Sequence, residues 1–337
     1  MNSIERINAT LNFEKPDRVP VFPQIFGLAG VMAGVPVDAY VRDGHLLAEC
    51  QIKAIKKYGY DAVFSVMDTS VEAEAVGGIL EYKKDMYPTM KTYAIQDKDM
   101  IDHLVLPDPN VAGRMPEMLK AVKRLRREVG DEHLVVGCVM GPLTIASQLM
   151  GMETALYLAI DEPGVFIKLL DFCTEIAIKF GLAQIQAGAH LPMIFDPAAS
   201  PAVVPPQFFR EIELPQLQKL CRIFDEAGSL ANWLHIAGPT ASILPFYPEI
   251  GVDIANFDYY VSPQQAVALL PDLCLDGNIK SISFIEDGPE EIAVKSAELL
   301  DLFENRGGFI LSSGCEISPL SCPENIAAMV NAAKERG

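Results

Sequence analysis

An imidazole and a thiol are the two side chains of this sequence best suited to hold a zinc ion. His235 lies in "LHIAGPT" and Cys315 in "SSGCEI", and each leaves an apolar stretch where a strand would end and a loop begin. A catalytic zinc takes three protein ligands and keeps a fourth position open, so a third donor must come from Glu316, Asp196, Asp258 or another neighbour. On spacing alone, a lone histidine and cysteine more often pack or hydrogen-bond than bind metal. Two aspartates offer a second chemistry. Asp68 follows "AVFSV", Asp196 follows "MIF", and small residues rather than an immediate helix come next. Facing each other they would form a paired-carboxylate pocket able to orient a substrate or exchange protons, with His235 as a third catalytic candidate. An aspartate ending a strand is just as commonly a cap for the next helix. Gln24, Asp258 and Asn278 end other apolar runs and are the candidate substrate-binding residues, whereas Asp276 in "LDGN" reads as a turn residue.

These residues can meet only if the elements carrying them form one scaffold. Eight short β-rich runs recur: "RVPVFPQI" from Arg18, "DAVFSVMD" from Asp61, "HLVVGCVM" from His133, "LPMIFDP" from Leu191, "ANWLHI" from Ala231, "VDIANFD" from Val252, "DLCLDGN" from Asp272 and "GFILSSGC" from Gly308. Between them lie segments of helical period such as "AECQIKAIKKYG", "PGVFIKLLDFCTEIAIKFGLAQIQAG", "PPQFFREIELPQLQKLCRIFDEAG" and "PEEIAVKSAELLDLFENRG", several ending in glycine. Near-continuous apolar strands alternating with helices predict a single (β/α)8 TIM barrel over residues 1–337, with the polar residues above gathered at the C-terminal mouth. The connection after the second strand is too long for one helix. Its stretch "GGILEYKKDMYPTMKTYAI" at 77–95 predicts a hairpin laid over one mouth. An open doubly wound sheet is the competing architecture, and no G-x-G-x-x-G follows the first strand to support its nucleotide-binding form.

Composition narrows the partners. With 45 acidic against 27 basic residues the formal charge is −18, which argues against duplex nucleic acid. The one basic cluster, Lys120 to Arg127, alternates with Leu119, Val122 and Leu125 as a solvated helix face would. No basic start followed by a long apolar run begins the chain, and no later segment is long and apolar enough to span a bilayer, so a cytoplasmic protein without a membrane partner is expected. Seven scattered cysteines read as reduced thiols, with Cys322 at the start of the last helix.

Six stretches, taken in order, resemble the uroporphyrinogen decarboxylase superfamily, and within it the branch of cobamide-dependent methyltransferases. They are "NFEKPDRVPV" at 12–21, "DAVFSVMDTSVEAEAVGG" at 61–78, "GPLTIASQLMG" at 141–151, "DPAASPAVVPPQFFREIELPQL" at 196–217, "LHIAGPT" at 234–240 and "ILSSGCEISPLSCPENIAAMV" at 310–330. The resemblance implies a (β/α)8 barrel that moves a methyl group between a small methylated substrate, ether or amine-like, and a corrinoid carried by a partner protein. Methylcobamide:thiol methyl transfer and uroporphyrinogen decarboxylation are the alternatives. The decarboxylases grip their substrate's carboxylates with an arginine-rich segment after the first strand, where this chain reads "FPQIFGLAGVMAGVPVDAY". Asp68 matches the decarboxylases' central aspartate but is shared with the methyltransferases. In that branch zinc is held by His-x-Cys after strand five and a cysteine in "GC" after strand eight. His235 and Cys315 match and Ala237 stands where the first cysteine would be, so either an oxygen ligand such as Glu316 or Asp196 completes the site or the metal is absent and His235 acts by hydrogen bonding. The segment "FGLAGVMAG" and the insertion after strand two are expected to form an apolar rim for the partner.

Overall fold

The eight apolar runs become eight strands because a parallel barrel strand is covered on both faces and has no polar side to present. The computed structural model describes residues 1–337. Its strands are β1 (Val21–Phe22), β2 (Ala62–Phe64), β3 (Ile79–Glu81), β4 (Thr89–Thr92), β5 (Leu134–Met140), β6 (Leu191–Phe195), β7 (Trp233–His235), β8 (Ile254–Asn256), β9 (Cys274–Ile279) and β10 (Phe309–Ser313). All but β3 and β4 join one parallel sheet in the order β1-β10-β9-β8-β7-β6-β5-β2. The seam between β1 and β2 is stitched by Asp61, whose N–H donates to the Val21 carbonyl (3.0 Å) and whose carboxylate accepts from the Val21 N–H (2.8 Å). The expected barrel is therefore formed. Phe22, Phe64 and Trp233 fill its interior, with ring centroids 5.5 and 6.1 Å from the indole.

Helices run between successive strands and are bounded as the sequence indicates. Asp43 caps the helix Gly44–Tyr58 by accepting from His45 and Leu46, and Gly59 ends it at φ +71°. The basic helix Met115–Val129 buries Leu119, Val122 and Leu125 and turns its charges outward. Cys322 precedes the last helix, Pro323–Lys334, and all seven thiols are unpaired. No single helix is long and apolar enough to cross a membrane.

Two departures bear on the site. The stretch at 205–228, expected as one helix, breaks into Pro206–Phe208, a π turn at Phe209–Glu213 and Leu214–Glu226. Pro215 lacks the N–H that an α-helix needs at that point, and the wider turn rotates Glu213 into the protein interior, where it is fully buried. β9 carries Asp276 in its middle rather than in a turn, because the strand runs on to Ile279. The hairpin does form, as the antiparallel pair β3–β4, and the residues between its strands reach the barrel mouth.

Candidate active site

His235 ends β7 inside the barrel. It is fully buried against the Phe195 ring at 4.5 Å, and neither ring nitrogen has a hydrogen-bond partner. Burial alone lowers its pKa to about 3, so the imidazole is neutral and retains one lone pair for a ligand.

Asp68 and Asp196 do not face each other. Asp68 is gripped by Arg114, whose guanidinium also donates to Glu74 (2.6 Å), Ser70 (3.1 Å) and the Val41 carbonyl (2.9 Å). No sequence pattern marks Arg114, which precedes a helix in the plain loop "VAGRMP". Asp196 turns to the start of the helix Pro142–Met150, accepting from the Thr144 N–H (2.9 Å) and hydroxyl. The approach is so close that a Cβ on Gly141 would overlap the carboxyl group. The other neighbour of Asp196 is Glu213, and burial raises the pKa of both. The expected Asp68–Asp196 pocket is thus replaced by an Asp68–Arg114 ion pair and a buried Asp196–Glu213 pair.

A polar layer joins β8, β9 and β10 to the end of β1. Asp276 accepts from Asn256 (3.0 Å) and, at 3.5 Å, from Gln24, which also donates to Ser312 (3.3 Å) and the Ser313 carbonyl (3.2 Å). Burial pushes Asp276 up to about 7 against the pull of Asn256, Ser312 and the Trp233 indole. One oxygen of Asp276 and the amide oxygens of Gln24 and Asn256 remain without donors. Asn278 spends its amide nitrogen on the carbonyls of Val261 (2.9 Å) and Asp258 (3.4 Å). Asp258 accepts from the N–H groups of Gly238 (2.8 Å) and Tyr259 (2.6 Å) and abuts Gly314, where a side chain would displace it. It therefore ties the loop after β7 to the loop after β10. Glu72, another carboxyl that no sequence pattern marks, accepts from the Met140 N–H (2.8 Å) at the end of β5, and burial raises it to about 7.

Cys315 is partly exposed, and burial pushes its thiol up to about 12. Beside it, Glu316 takes a hydrogen bond from Tyr87, the hairpin residue that also accepts from the Gly27 N–H (2.8 Å). A Cβ at Gly27 would lie 2.5 Å from the Tyr87 hydroxyl, so a larger residue here would displace the phenol. The expected zinc set of His235, Cys315 and Glu316 is not assembled: no three His, Cys, Asp or Glu side chains gather closely enough to hold a metal ion. The reason is local. Ala237 offers no donor, Glu316 is engaged by Tyr87, and Asp258 is engaged by backbone amides. The expected rim is found in part. Gly27 to Gly30 are buried, but Val31 and, in the insertion after β2, Ile79, Met86 and Tyr93 are exposed, and the loops after β8, β9 and β10 add Tyr259, Tyr260, Ile282, Ile285 and Leu320.

Residues 2–336 match the family model described as uroporphyrinogen decarboxylase (URO-D). Among curated proteins, the chain is 28% identical to a methylcobamide:CoM methyltransferase of Methanosarcina mazei, covering 98% of this chain and 97% of the relative. It is 27% identical to a uroporphyrinogen decarboxylase of Anaeromyxobacter dehalogenans, covering 97% of each. A solved methyltransferase from Methanosarcina mazei superimposes with a TM-score of 0.91 at 26% identity, over 100% of this chain and 99% of that one.

Proposed function

From the premise that this chain belongs to the uroporphyrinogen decarboxylase family, we propose that it is a corrinoid-dependent methyltransferase, moving a methyl group between a small methylated ether or amine and a corrinoid protein. The observation that carries this reading over decarboxylation is the charge of the mouth. Its one arginine in contact with the site carboxylates, Arg114, is consumed by Asp68 and Glu74, and the segment after β1 supplies none. A porphyrinogen bearing several carboxylates would enter without counter-charges. The relatives named as methyltransferases support the same choice.

The corrinoid supplies cobalt as the methyl acceptor or donor. The chain's own residues must hold the methyl-bearing atom in line with it and exclude water. Phe195 and His235 form the inner wall, Asp258 fixes the loops after β7 and β10 relative to each other, and the Tyr87–Glu316 contact fixes the hairpin beside them. No step is assigned to zinc, since the donor set does not fit it. Transfer to a thiol remains the second reading, favoured by the names of the relatives.

The test mixes the protein with a reduced corrinoid protein and a panel of methyl ethers, methylamines and methylated thiols, following the corrinoid's visible spectrum. Methylation of the corrinoid with an ether or amine is expected. Silence across the panel, together with decarboxylation of uroporphyrinogen, would overturn the reading.

A further inference from the structure

The helix Met152–Asp161, "METALYLAID", is mostly apolar, yet only Ala155 and Leu158 are buried. A helix of that composition is ordinarily covered on most sides. Here Tyr157 and Ile160, three residues apart on one face, are 58% and 74% exposed. The next helix, Pro163–Ala187, leaves Ile167 exposed near its start. Two ion pairs, Lys98 with Glu162 and Lys168 with Asp102 (3.3 Å), lay the segment Lys98–His103 along this junction. Met100, between Lys98 and Asp102, is exposed, and the chain continues through Val105, 81% exposed, and Leu106. The same junction carries a recess of about 310 Å³, lined by Ala159, Pro163, Phe166, Phe208 and Ile212. Ala159 directly precedes Ile160, so projection and recess adjoin.

At roughly 150–200 Å² for a fully exposed side chain of this size, Tyr157, Ile160, Ile167, Met100, Val105 and Leu106 offer on the order of 500–600 Å² of apolar surface. That is the upper end of what a monomer leaves bare. It also matches the apolar share, about 60%, of the roughly 800 Å² that each partner contributes to a stable interface. A two-fold interface meets itself, so a face that fits a second copy must hold both a projection and a hollow of matching character; a face for a different protein needs only one. We propose that this face joins two copies of the chain about a two-fold axis, Tyr157 and Ile160 of each copy entering the recess of the other. The charge of the chain sets the salt dependence. Two copies at −18 each repel, so the contact draws on apolar burial, and added salt tightens it by screening. Docking of a basic partner would weaken with salt instead. The inference is independent of the methyltransferase reading.

Sedimentation equilibrium of the full chain, from about 1 to 100 μM protein and at about 0.1 and 0.5 M NaCl, reads the association directly. A dimer with a dissociation constant of micromolar order is expected, tighter at the higher salt. Ile160→Glu and Tyr157→Glu each place a carboxylate in an apolar recess of the other copy, and each should weaken the dimer by at least about thirtyfold. Both positions are exposed, and an unchanged melting curve under conditions where the chain is monomeric would confirm that the fold is intact. Val294→Glu, at an exposed position on the helix Pro289–Phe303, should leave the association unchanged. A dimer that survives both of the first two substitutions lies on another face and overturns the inference. A monomer over the whole range overturns it as well; if the wild type then binds the apolar dye ANS and Ile160→Glu does not, the face belongs to a different protein.

Discussion

Buried carboxylates occur at both ends of the barrel, and the two ends treat them oppositely. At the N-terminal end Asp61 is fully buried, but it receives Arg6 and Arg18 at 2.7 Å each, the Ser3 hydroxyl and the Val21 amide. Arg6 also binds Asp17 and holds its carboxyl well below the usual range. Every charge there has a partner, and the cluster closes the β1–β2 seam. At the mouth Glu72, Asp258, Asp276 and Glu316 have only amides or a phenol as donors, and burial raises all four. A charge cluster that completes itself stabilises a fold, whereas one left incomplete costs stability and is characteristic of a place where something binds.

The comparison is most severely tested at Asp61. Replacing it by Asn leaves the largely buried Arg18 guanidinium without a carboxylate and Arg6 with Asp17 alone, and a loss of roughly 3–5 kcal/mol in urea unfolding is expected. A loss below about 1 kcal/mol would mean the seam is held elsewhere.

The two ends should also respond to pH with opposite signs. A carboxyl whose folded pKa lies above its unfolded value of about 4 contributes stability that is full below pH ~4 and fades as pH rises through the folded value. For Glu72, Asp276 and Glu316 that value is about 7. Stability should therefore fall between pH ~4 and 8, each of these groups contributing a slope of at most ~1.4 kcal/mol per pH unit. Asp17, lowered by Arg6, contributes stability above pH ~4 that is lost as pH falls further. Thermal unfolding from pH 5 to 8 should show the decline, and Asp276→Asn should flatten it. An unchanged slope in that variant would show that Asp276 does not titrate in this window.

The smallest effect belongs to the link between hairpin and mouth. Tyr87→Phe removes one hydroxyl that accepts from Gly27 and donates to Glu316, and about 1–2 kcal/mol of stability should go with it. No change in melting temperature would show that the hairpin is held by its other contacts.

The barrel was legible in the sequence because its signal is local. A strand covered on both faces must be apolar throughout, a helix with one wet side must repeat every three to four residues, and both patterns survive without knowledge of the neighbours. The eight runs, the hairpin and the cap position of Cys322 were all readable for this reason. The positions of Asp68, Asp258, His235 and Cys315 near the strand ends were readable too, since rise along a strand fixes height in a barrel. Direction and partnership were not. Whether Asp196 meets Asp68 or Thr144 depends on where another helix begins, and whether Glu213 is wet or buried depends on a single wider turn near Pro215. Asp276 looks like a turn residue until the strand is seen to run three residues further. Arg114 and Tyr87 lie far in sequence from the carboxyl groups they contact, Tyr87 by 229 positions from Glu316. Chain order therefore determined the scaffold and the height of each polar group upon it. Which of those groups meet, and which are left without a partner, was decided only when the tertiary fold brought distant segments together.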